Sequence, residues 1–218
     1  MNSDKLWNRY EAVLKKHEPL GYATLQPPAT ESEIKEAEQA MKVRFPKELK
    51  DAYRRYNGVK QARWSRDPVL FANSDASWAS LNSVVDEWSK LVWADEAVDY
   101  SCLLNYDPEY LQGLKIYPYW WHPKWIPIGL TNTATTVFID MHPGPQGKKG
   151  QLVFTSRDDS GGVLMAPGLN EWIKFQCDCF DSGRFYVHPE TGIVSDKALG
   201  GRSGMGAGVY YVNWSPPH

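Results

Sequence analysis

The segment from Pro27 to Gly58 constrains the fold of this chain most, because it carries start and stop signals for two successive amphipathic helices. Thr30 and Glu33 stand at the spacing of a capping box, in which each side chain satisfies a free backbone N–H of the first helical turn. Three apolar side chains then fall on one helical face: Ile34, Ala37 and Met41. The pattern predicts a helix over about residues 31–42.

A second helix is expected directly after the first, over about residues 46–57. Pro46 suits the first helical position, since no backbone N–H is needed there. The apolar face recurs at i, i+3, i+4 and i+7 and consists of Leu49, Ala52, Tyr53 and Tyr56. Asn57 and Gly58 provide the stop signal, because Gly58 can take the left-handed conformation of a helix cap. The two helices should meet at a sharp corner, and the motif carries no catalytic group.

A second block of sequence, later in the chain, contains four short patterns in order: Trp125-Ile126-Pro127-Ile128-Gly129, Thr136-Val137-Phe138-Ile139-Asp140, Pro143-Gly144-Pro145 and Gly150-Gln151-Leu152-Val153. Together with the two-helix segment, this block resembles the SUKH superfamily, which includes fungal cell-wall-assembly regulators and many bacterial immunity proteins. The superfamily pattern is W-x-P-I, an apolar strand ending in Asp, P-G, and a Gly-led apolar strand. The resemblance covers roughly residues 20–180 and implies a non-enzymatic binding protein.

Composition excludes several classes of protein. The chain has 218 residues, 42% of them hydrophobic, and a formal net charge of −2. This charge gives no global signal for binding to nucleic acid or to a membrane. No apolar run approaches the 18 residues or so of a transmembrane helix, and no secretory signal is visible at the N-terminus. The three cysteines do not form a disulfide framework, so we expect a soluble protein of the reducing cytoplasm.

Further elements are predicted from local patterns. Helices are expected over residues 3–18, about 80–93 and 170–180. Strands are expected over residues 125–129, 134–140, 150–155 and 185–187, with further short strands at 69–71 and 209–212. Prolines should confine residues 114–128 to an edge strand or an extended lead-in. Residues 94–113 carry few apolar repeats and are expected to form a loop with a turn at Asp107-Pro108.

Helices that cluster first and strands that follow favour an α+β fold, a mostly antiparallel twisted sheet with helices packed around it. We expect a single SUKH-like domain over residues 1–194, followed by a Gly-rich segment and a C-terminal strand or tail over residues 195–218.

The charge distribution is uneven. Residues 67–112 contain nine acidic residues and one basic residue, Lys90. Such an excess steers a cationic partner. Trp93 lies away from the apolar stripe of its predicted helix and close to Asp86, as an interface anchor would. The predicted partner-binding residues are Asp86, Glu87, Trp93, Asp95, Glu96, Asp99 and Tyr100.

Two questions about these surfaces stay open at the level of sequence. The acidic residues could form an ordinary solvated face, with Trp93 packed under the following loop. The aromatic segment over residues 117–125 could belong to the core or form a second contact site.

Four groups of residues have patterns that also occur in metal, phosphate-binding or catalytic sites. Cys177-x-Cys179 lacks the partner pair that a zinc site needs, and the Gly-rich run over residues 200–208 lacks the Gly-Lys-Ser/Thr ending of a phosphate loop. Asp158-Asp159-Ser160-Gly161-Gly162 is typical of a polar turn. Asp140, His122 and His142 could gather near one turn, but the resemblance explains Asp140 as a strand-end residue that orders that turn by hydrogen bonds. We therefore predict no catalytic residues, no cofactor and no metal.

Function follows from the resemblance and the acidic segment. The leading hypothesis is an immunity protein, or antitoxin, that binds and neutralises a cognate secreted toxin effector by occluding its active site. The partner would be a toxin domain, for example a basic nuclease-like effector, because nucleases need basic clefts to bind phosphates. The alternative hypothesis is a non-enzymatic regulatory scaffold related to the fungal regulators of cell-wall synthesis.

Overall fold

The helices and strands build one antiparallel sheet with helices around it. The computed structural model describes residues 3–60, 76–95, 107–131, 135–156, 162–187 and 194–200. The helices are α1 (Ser3–His17), α2 (Pro19–Ala23), α3 (Glu31–Met41), α4 (Lys47–Tyr53), α5 (Leu81–Asp95), α6 (Pro108–Gln112) and α7 (Leu169–Asp181). The strands are β1 (Ser77–Trp78), β2 (Trp125–Leu130), β3 (Thr135–Asp140), β4 (Gln151–Ser156), β5 (Val163–Ala166), β6 (Phe185–Val187) and β7 (Val194–Asp196), and a 3₁₀ turn spans Lys197–Leu199.

The main sheet has the order β1-β2-β3-β4-β5, and its neighbouring strands are antiparallel. β6 and β7 form a separate antiparallel pair. This arrangement confirms the predicted α+β class and the mostly antiparallel sheet. β7 spans Val194–Asp196 and so crosses the predicted division between residues 194 and 195. Residues 201–218 lie outside the described part of the chain. The division into domains therefore stays a prediction.

Both faces of the central strands are buried. Ile126, Val137 and Leu152 point into a large core that the helices cover. On the opposite face, Phe138 and Val153 pack in a second cluster. Strands that are buried on both sides are apolar almost without interruption, and this explains why β2, β3 and β4 show little alternation of apolar and polar residues.

The helices form the outer layer of the large core. α1 packs against α7, α3 against α5, α5 against β2, and α7 against β4 and β5. The apolar side chains of α1 are buried against this core: Leu6, Trp7, Tyr10, Val13 and Leu14. The capping box of α3 is present: the Glu33 N–H donates to Thr30 Oγ1 at 3.2 Å and the Thr30 N–H donates to Glu33 Oε2 at 2.7 Å.

The end of α4 differs from the prediction. α4 ends at Tyr53 rather than near residue 57, and Pro46 is its N-cap rather than its first helical residue. Gly58 does adopt a left-handed conformation, with φ of 73°, but it does not cap the helix. A Cβ at Gly58 would lie 2.5 Å from the backbone nitrogen of Ser80, so the glycine allows two chain segments to approach closely.

Two further predictions need correction. β2 is an interior strand rather than an edge strand or lead-in, because β1 pairs with Gly129 and Leu130 while β3 pairs along the other side. Pro127 is tolerated there because the register shifts between Pro127 and Gly129. The predicted turn at Asp107-Pro108 instead begins the short helix α6, with Asp107 as its N-cap. The strands predicted at 69–71 and 209–212 lie outside the described residues.

Candidate partner-binding face

The outer side of α5 presents an exposed tryptophan. Trp93 is 78% exposed, although tryptophan buries a large apolar surface where it can. At 100° per residue, its neighbours on the helix surface are the residues three, four, seven and eleven positions earlier. We call this surface the Trp93 face; it consists of Asn82, Asp86, Ser89, Lys90 and Trp93, all of them exposed. The position of Trp93 off the apolar stripe agrees with the sequence periodicity, and its side chain is exposed.

The inner side of α5 holds the helix against the sheet. Leu81, Val84 and Leu91 are buried. Trp88 is half-buried and its indole Nε1–H donates a 2.9 Å hydrogen bond to the carbonyl oxygen of Pro123. The two tryptophans of this helix therefore have opposite environments, since one is packed and hydrogen-bonded and the other projects away from the core.

The start of α5 is fixed by the segment that follows α4. The Leu81 N–H, which has no partner within the helix, donates a 2.9 Å hydrogen bond to Asn57 Oδ1. The Ser83 N–H donates to Ser80 Oγ at 3.3 Å. Asn57 thus couples the end of the two-helix motif to the helix that presents the Trp93 face, which is a role that its predicted stop signal did not reveal.

The Trp93 face carries an ion pair. Lys90 Nζ lies 2.7 Å from Asp86 Oδ2, one helical turn apart, so the predicted acidic residue of this face has a cationic neighbour. Glu87 is half-buried and lies about 120° around the helix from Trp93.

Other predicted site residues are not placed on this face by the structure. Asp95 ends α5. Glu96, Asp99 and Tyr100 lie outside the described residues. Of the predicted set, the structure brings together Asp86 and Trp93.

The aromatic segment over residues 117–125 belongs mainly to the core. Trp121 and Trp125 are fully buried, and Tyr119 is 7% exposed. They pack with Phe138 of β3 and Leu91 of α5 in the second cluster. The segment therefore covers the sheet face opposite the main core, and most of its rings are unavailable as partner contacts.

Asp140 orders a turn, as the resemblance implied. The carboxylate is fully buried, and it accepts hydrogen bonds from the His142 N–H at 2.7 Å and from Gln151 Nε2 at 2.8 Å. Burial raises the pKa of Asp140 to about 6, against the lowering effect of the hydrogen bonds from Gln151 and His142. Asp140 contacts the backbone of His142 rather than its ring, so the pair is not arranged as a carboxylate that orients a catalytic imidazole.

The two histidines of this region stack on each other. The rings of His122 and His142 lie 4.2 Å apart between centroids at an interplanar angle of 17°. Burial lowers the pKa of His122 to about 4, with further lowering from His142 and Lys124. The Lys124 N–H donates to His122 Nδ1 at 3.1 Å. Both observations favour a neutral His122 that serves packing.

The cysteines of α7 have a structural environment. Cys177 and Cys179 are buried, and burial raises the pKa of each thiol to about 12. A thiol with so high a pKa is a poor nucleophile and a poor metal ligand. In the described ranges, no group of three or more His, Cys, Asp and Glu side chains is placed to hold a metal ion. Within the same ranges, no helix is long and apolar enough to cross a membrane.

Known proteins match this chain over most of its length. The model of the SMI1 / KNR4 family (SUKH-1) matches residues 28–174. The cell wall assembly regulator SMI1 of Saccharomyces cerevisiae is 20% identical over 206 residues, which cover 83% of this chain and 41% of the relative. KNR4/SMI1 homolog 2 of Debaryomyces hansenii is 23% identical over 216 residues, covering 84% of this chain and 36% of the relative.

A shorter match reaches the glucan synthesis regulatory protein of Neurospora crassa, which is 29% identical over 70 residues, or 32% of this chain and 13% of the relative. The chain thus spans less than half of the length of these relatives, two of which are named as regulators. The helices α3 and α4 and the strands β2 to β4 all fall inside the matched range, and the chain belongs to the SMI1/KNR4 family (SUKH-1).

Proposed function

We propose that this chain is a non-enzymatic binding protein that regulates cell-wall synthesis, and that it contacts a partner protein through the Trp93 face. The family match over residues 28–174 is the observation that carries the proposal. The relatives that match most of this chain are named as a cell wall assembly regulator and as its homologue. Regulation of wall assembly in the cytoplasm is therefore a stronger proposal than neutralisation of a toxin.

The geometry of α5 supports a role in binding. An exposed tryptophan costs the free protein the benefit of burying its large apolar surface. Tryptophan is among the residues that contribute most to interface energy when a partner covers them. Trp93 stands on a helix that is fixed at its start by Asn57 and along its inner side by Trp88. A rigid helix loses little conformational entropy on binding.

Toxin neutralisation stays as a second proposal, because the same family model and the same face would serve it. The local acidic excess of residues 67–112 would favour a basic toxin domain. The ion pair between Lys90 and Asp86 weakens this inference, since it reduces the negative charge beside Trp93.

A deletion of the gene in the source organism tests the proposal. The wall glucan content and the sensitivity to wall-binding dyes are compared among the deletion strain, a strain rescued with the wild-type gene and a strain rescued with Trp93→Ala. We expect the deletion to change both properties, the wild-type gene to restore them, and Trp93→Ala to fail although the protein accumulates normally.

The control variant is Leu20→Ala, because Leu20 is also 78% exposed but lies on α2. It should rescue as well as the wild-type gene does. Unchanged walls in the deletion strain, combined with killing of that strain by wild-type siblings, would replace regulation by toxin neutralisation.

A further inference from the structure

A groove on another part of the molecule is lined by positive charge. It has a volume of about 360 Å³ and lies between the α3–α4 connection, the residue before β2 and the β3–β4 turn. We call it the basic groove, and define it by Lys42, Arg44, Lys124, His142 and Lys149. Val43, Met141 and Pro143 complete its wall, and none of the described residues that line it is acidic.

The cations of the basic groove have no close ion-pair partner among the described residues. In that part of the chain, none of the groove's lysines or its arginine has a carboxylate within salt-bridge distance, unlike Lys50 and Lys90. Glu38 of the adjoining helix α3 lies 2.8 Å from Lys50 Nζ and accepts a 2.7 Å hydrogen bond from the Phe45 N–H. Glu38 also attracts Arg44 over a longer distance, so its charge is shared between Lys50 and Arg44.

The pKa of the His142 ring is lowered in part by this concentration of positive charge. Burial is the largest cause that lowers the pKa of its ring, and repulsion from Lys124 and Lys149 lowers it further. The ring also packs against Tyr117, with centroids 5.5 Å apart and an interplanar angle of 32°. These effects favour the neutral form of the His142 ring, whereas an anion in the groove would favour its protonated form.

The walls of the basic groove are held in place by backbone contacts. The Met141 N–H donates to the carbonyl oxygen of Lys124 at 3.2 Å, which joins two of the contributing segments. Gly150, with φ of 89°, brings the β3–β4 turn against Pro46; a Cβ at Gly150 would lie 3.6 Å from the Cβ of Pro46. A groove whose charges are fixed before binding needs little reorganisation to receive an anion.

The conformation of Lys42 adds a second, independent observation. Lys42 is the C-cap of α3 and has φ of 53°, and it is the non-glycine residue with positive φ in the described ranges. Glycine and asparagine take this conformation more readily than lysine does. Strained residues of this kind concentrate at functional sites, and here the strained residue is one of the cations that line the groove.

We propose that the basic groove binds a short anionic segment of a partner protein, in which carboxylates or phosphate groups are clustered. Four cations around one depression suit a ligand with a few negative charges. Nucleic acid is a poorer fit, since proteins that bind it commonly neutralise six or more phosphates and this chain has a net charge of −2. The groove uses other elements than the Trp93 face, so the two proposals can fail separately.

Binding of fluorescent peptides to the purified full chain tests the proposal. The probes are a phosphoserine peptide, an Asp/Glu-rich peptide of the same length, a neutral peptide of the same length and a single-stranded oligonucleotide. We expect one or both anionic peptides to bind at least tenfold more tightly than the neutral peptide, with an affinity that falls as salt rises. Preference for the phosphoserine peptide would identify phosphate as the ligand, and preference for the Asp/Glu-rich peptide would identify carboxylates.

Charge-reversal variants locate the site. Lys124→Glu combined with Lys149→Glu should weaken binding at least tenfold, because both side chains are exposed and line the groove. The matched control, Lys5→Glu with Lys16→Glu, changes the net charge equally at exposed positions on α1 and should bind like the wild type. Lys42→Asn removes one cation while it keeps the left-handed cap, and it should weaken binding without loss of thermal stability.

The proposal would be overturned by anionic peptides that bind no better than the neutral one, by equal losses in the α1 control, or by tighter binding of the oligonucleotide. NMR titration gives a readout that does not depend on affinity. The pKa of His142 should rise when the bound anionic peptide is present in the wild type, and should not respond to the peptide in the Lys124→Glu, Lys149→Glu variant.

Discussion

Asp140 and Gln151 face each other as a register pair at the ends of β3 and β4, and Gln151 Nε2 donates a 2.8 Å hydrogen bond to Asp140 Oδ2. The same amide nitrogen donates to the carbonyl oxygen of Lys115 at 2.8 Å, and Gln151 Oε1 accepts from the Lys148 N–H at 3.1 Å. The orientation of the Gln151 amide is therefore fixed, and its partner at position 140 must accept a hydrogen bond.

Asp140→Asn should destabilise the protein by about 1–2 kcal/mol at pH 7, because the new amide nitrogen would face a second donor. The cost should grow as the pH falls from 7 to 4. Burial raises the pKa of Asp140 to about 6 in the folded protein, from an ordinary value of 3.8. Between these values the folded wild type binds more protons than the unfolded chain, so the contribution of Asp140 to stability decreases as the pH rises.

Urea unfolding of the wild type and Asp140→Asn at pH 7 and pH 4.5 measures both the loss of stability at pH 7 and its change with pH. The difference between the two proteins isolates Asp140 from other titrating groups. A cost that shrinks at pH 4.5 would show that the folded protein holds the Asp140 pKa below its ordinary value.

Gly58→Ala should lower the free energy of unfolding by about 2–5 kcal/mol, the sum of left-handed strain and overpacking. The added Cβ would lie 2.5 Å from Ser80 N and 2.6 Å from the carbonyl carbon of Ala79. Gly183→Ala is the control: Gly183 has φ of 69°, but the atom nearest to its added Cβ is Lys197 Nζ at 3.9 Å. The control should lose only about 1–2 kcal/mol from strain. Equal losses of stability in the two variants would show that the close approach of the Ala79 and Ser80 backbone does not explain the glycine at position 58.

Thr30→Ala should cost about 1 kcal/mol, because it removes the acceptor of the Glu33 N–H at the start of α3. Ser32→Ala provides the matched control in the same turn. The Ser32 hydroxyl donates to Glu36 Oε1 on the exposed surface, so its loss should change stability by less than about 0.5 kcal/mol. Thermal melts compare the two variants, and a cost for Ser32→Ala as large as that for Thr30→Ala would contradict the capping explanation.

The two tryptophans of α5 should respond differently to truncation. Trp88→Ala should destabilise the protein by about 2–4 kcal/mol, since it removes a half-buried ring and a hydrogen bond to Pro123. Trp93→Ala should change the free energy of unfolding by less than about 0.5 kcal/mol, because the ring is exposed. Chemical denaturation measures both. A large loss in Trp93→Ala would mean that this ring supports the fold.

Local signals account for the parts of the fold that were predicted from the sequence. The capping box at Thr30 and the apolar periodicity of α1, α3, α5 and α7 depend on contacts within one helix and its face. The position of Trp93 off the apolar stripe followed from the same periodicity, whereas its exposure did not. The apolar runs of β2, β3 and β4 are long enough to be seen as strands, although they do not show which face is covered by which element.

Features that depend on distant contacts were missed. β1 has two residues, β7 has three and β5 has four, which is too short for a period-two pattern to stand out. The role of Gly58 depends on Ala79 and Ser80, which pack against it from another segment. The basic groove gathers cations from positions 42–44, 124 and 149. No spacing in the sequence could reveal it, whereas the pairing of Lys90 with Asp86 was visible as an i, i+4 pair.

Quantitative capture of partner proteins from cells of the source organism, with the wild-type chain, Trp93→Ala and Leu20→Ala as baits, tests directly whether the Trp93 face binds a partner. We expect the wild type and Leu20→Ala to enrich the same proteins, with proteins of cell-wall synthesis among them. Trp93→Ala should lose that enrichment by at least tenfold, as a truncated interface anchor does. Equal enrichment by all three baits would contradict the claim that the Trp93 face is the partner-binding surface.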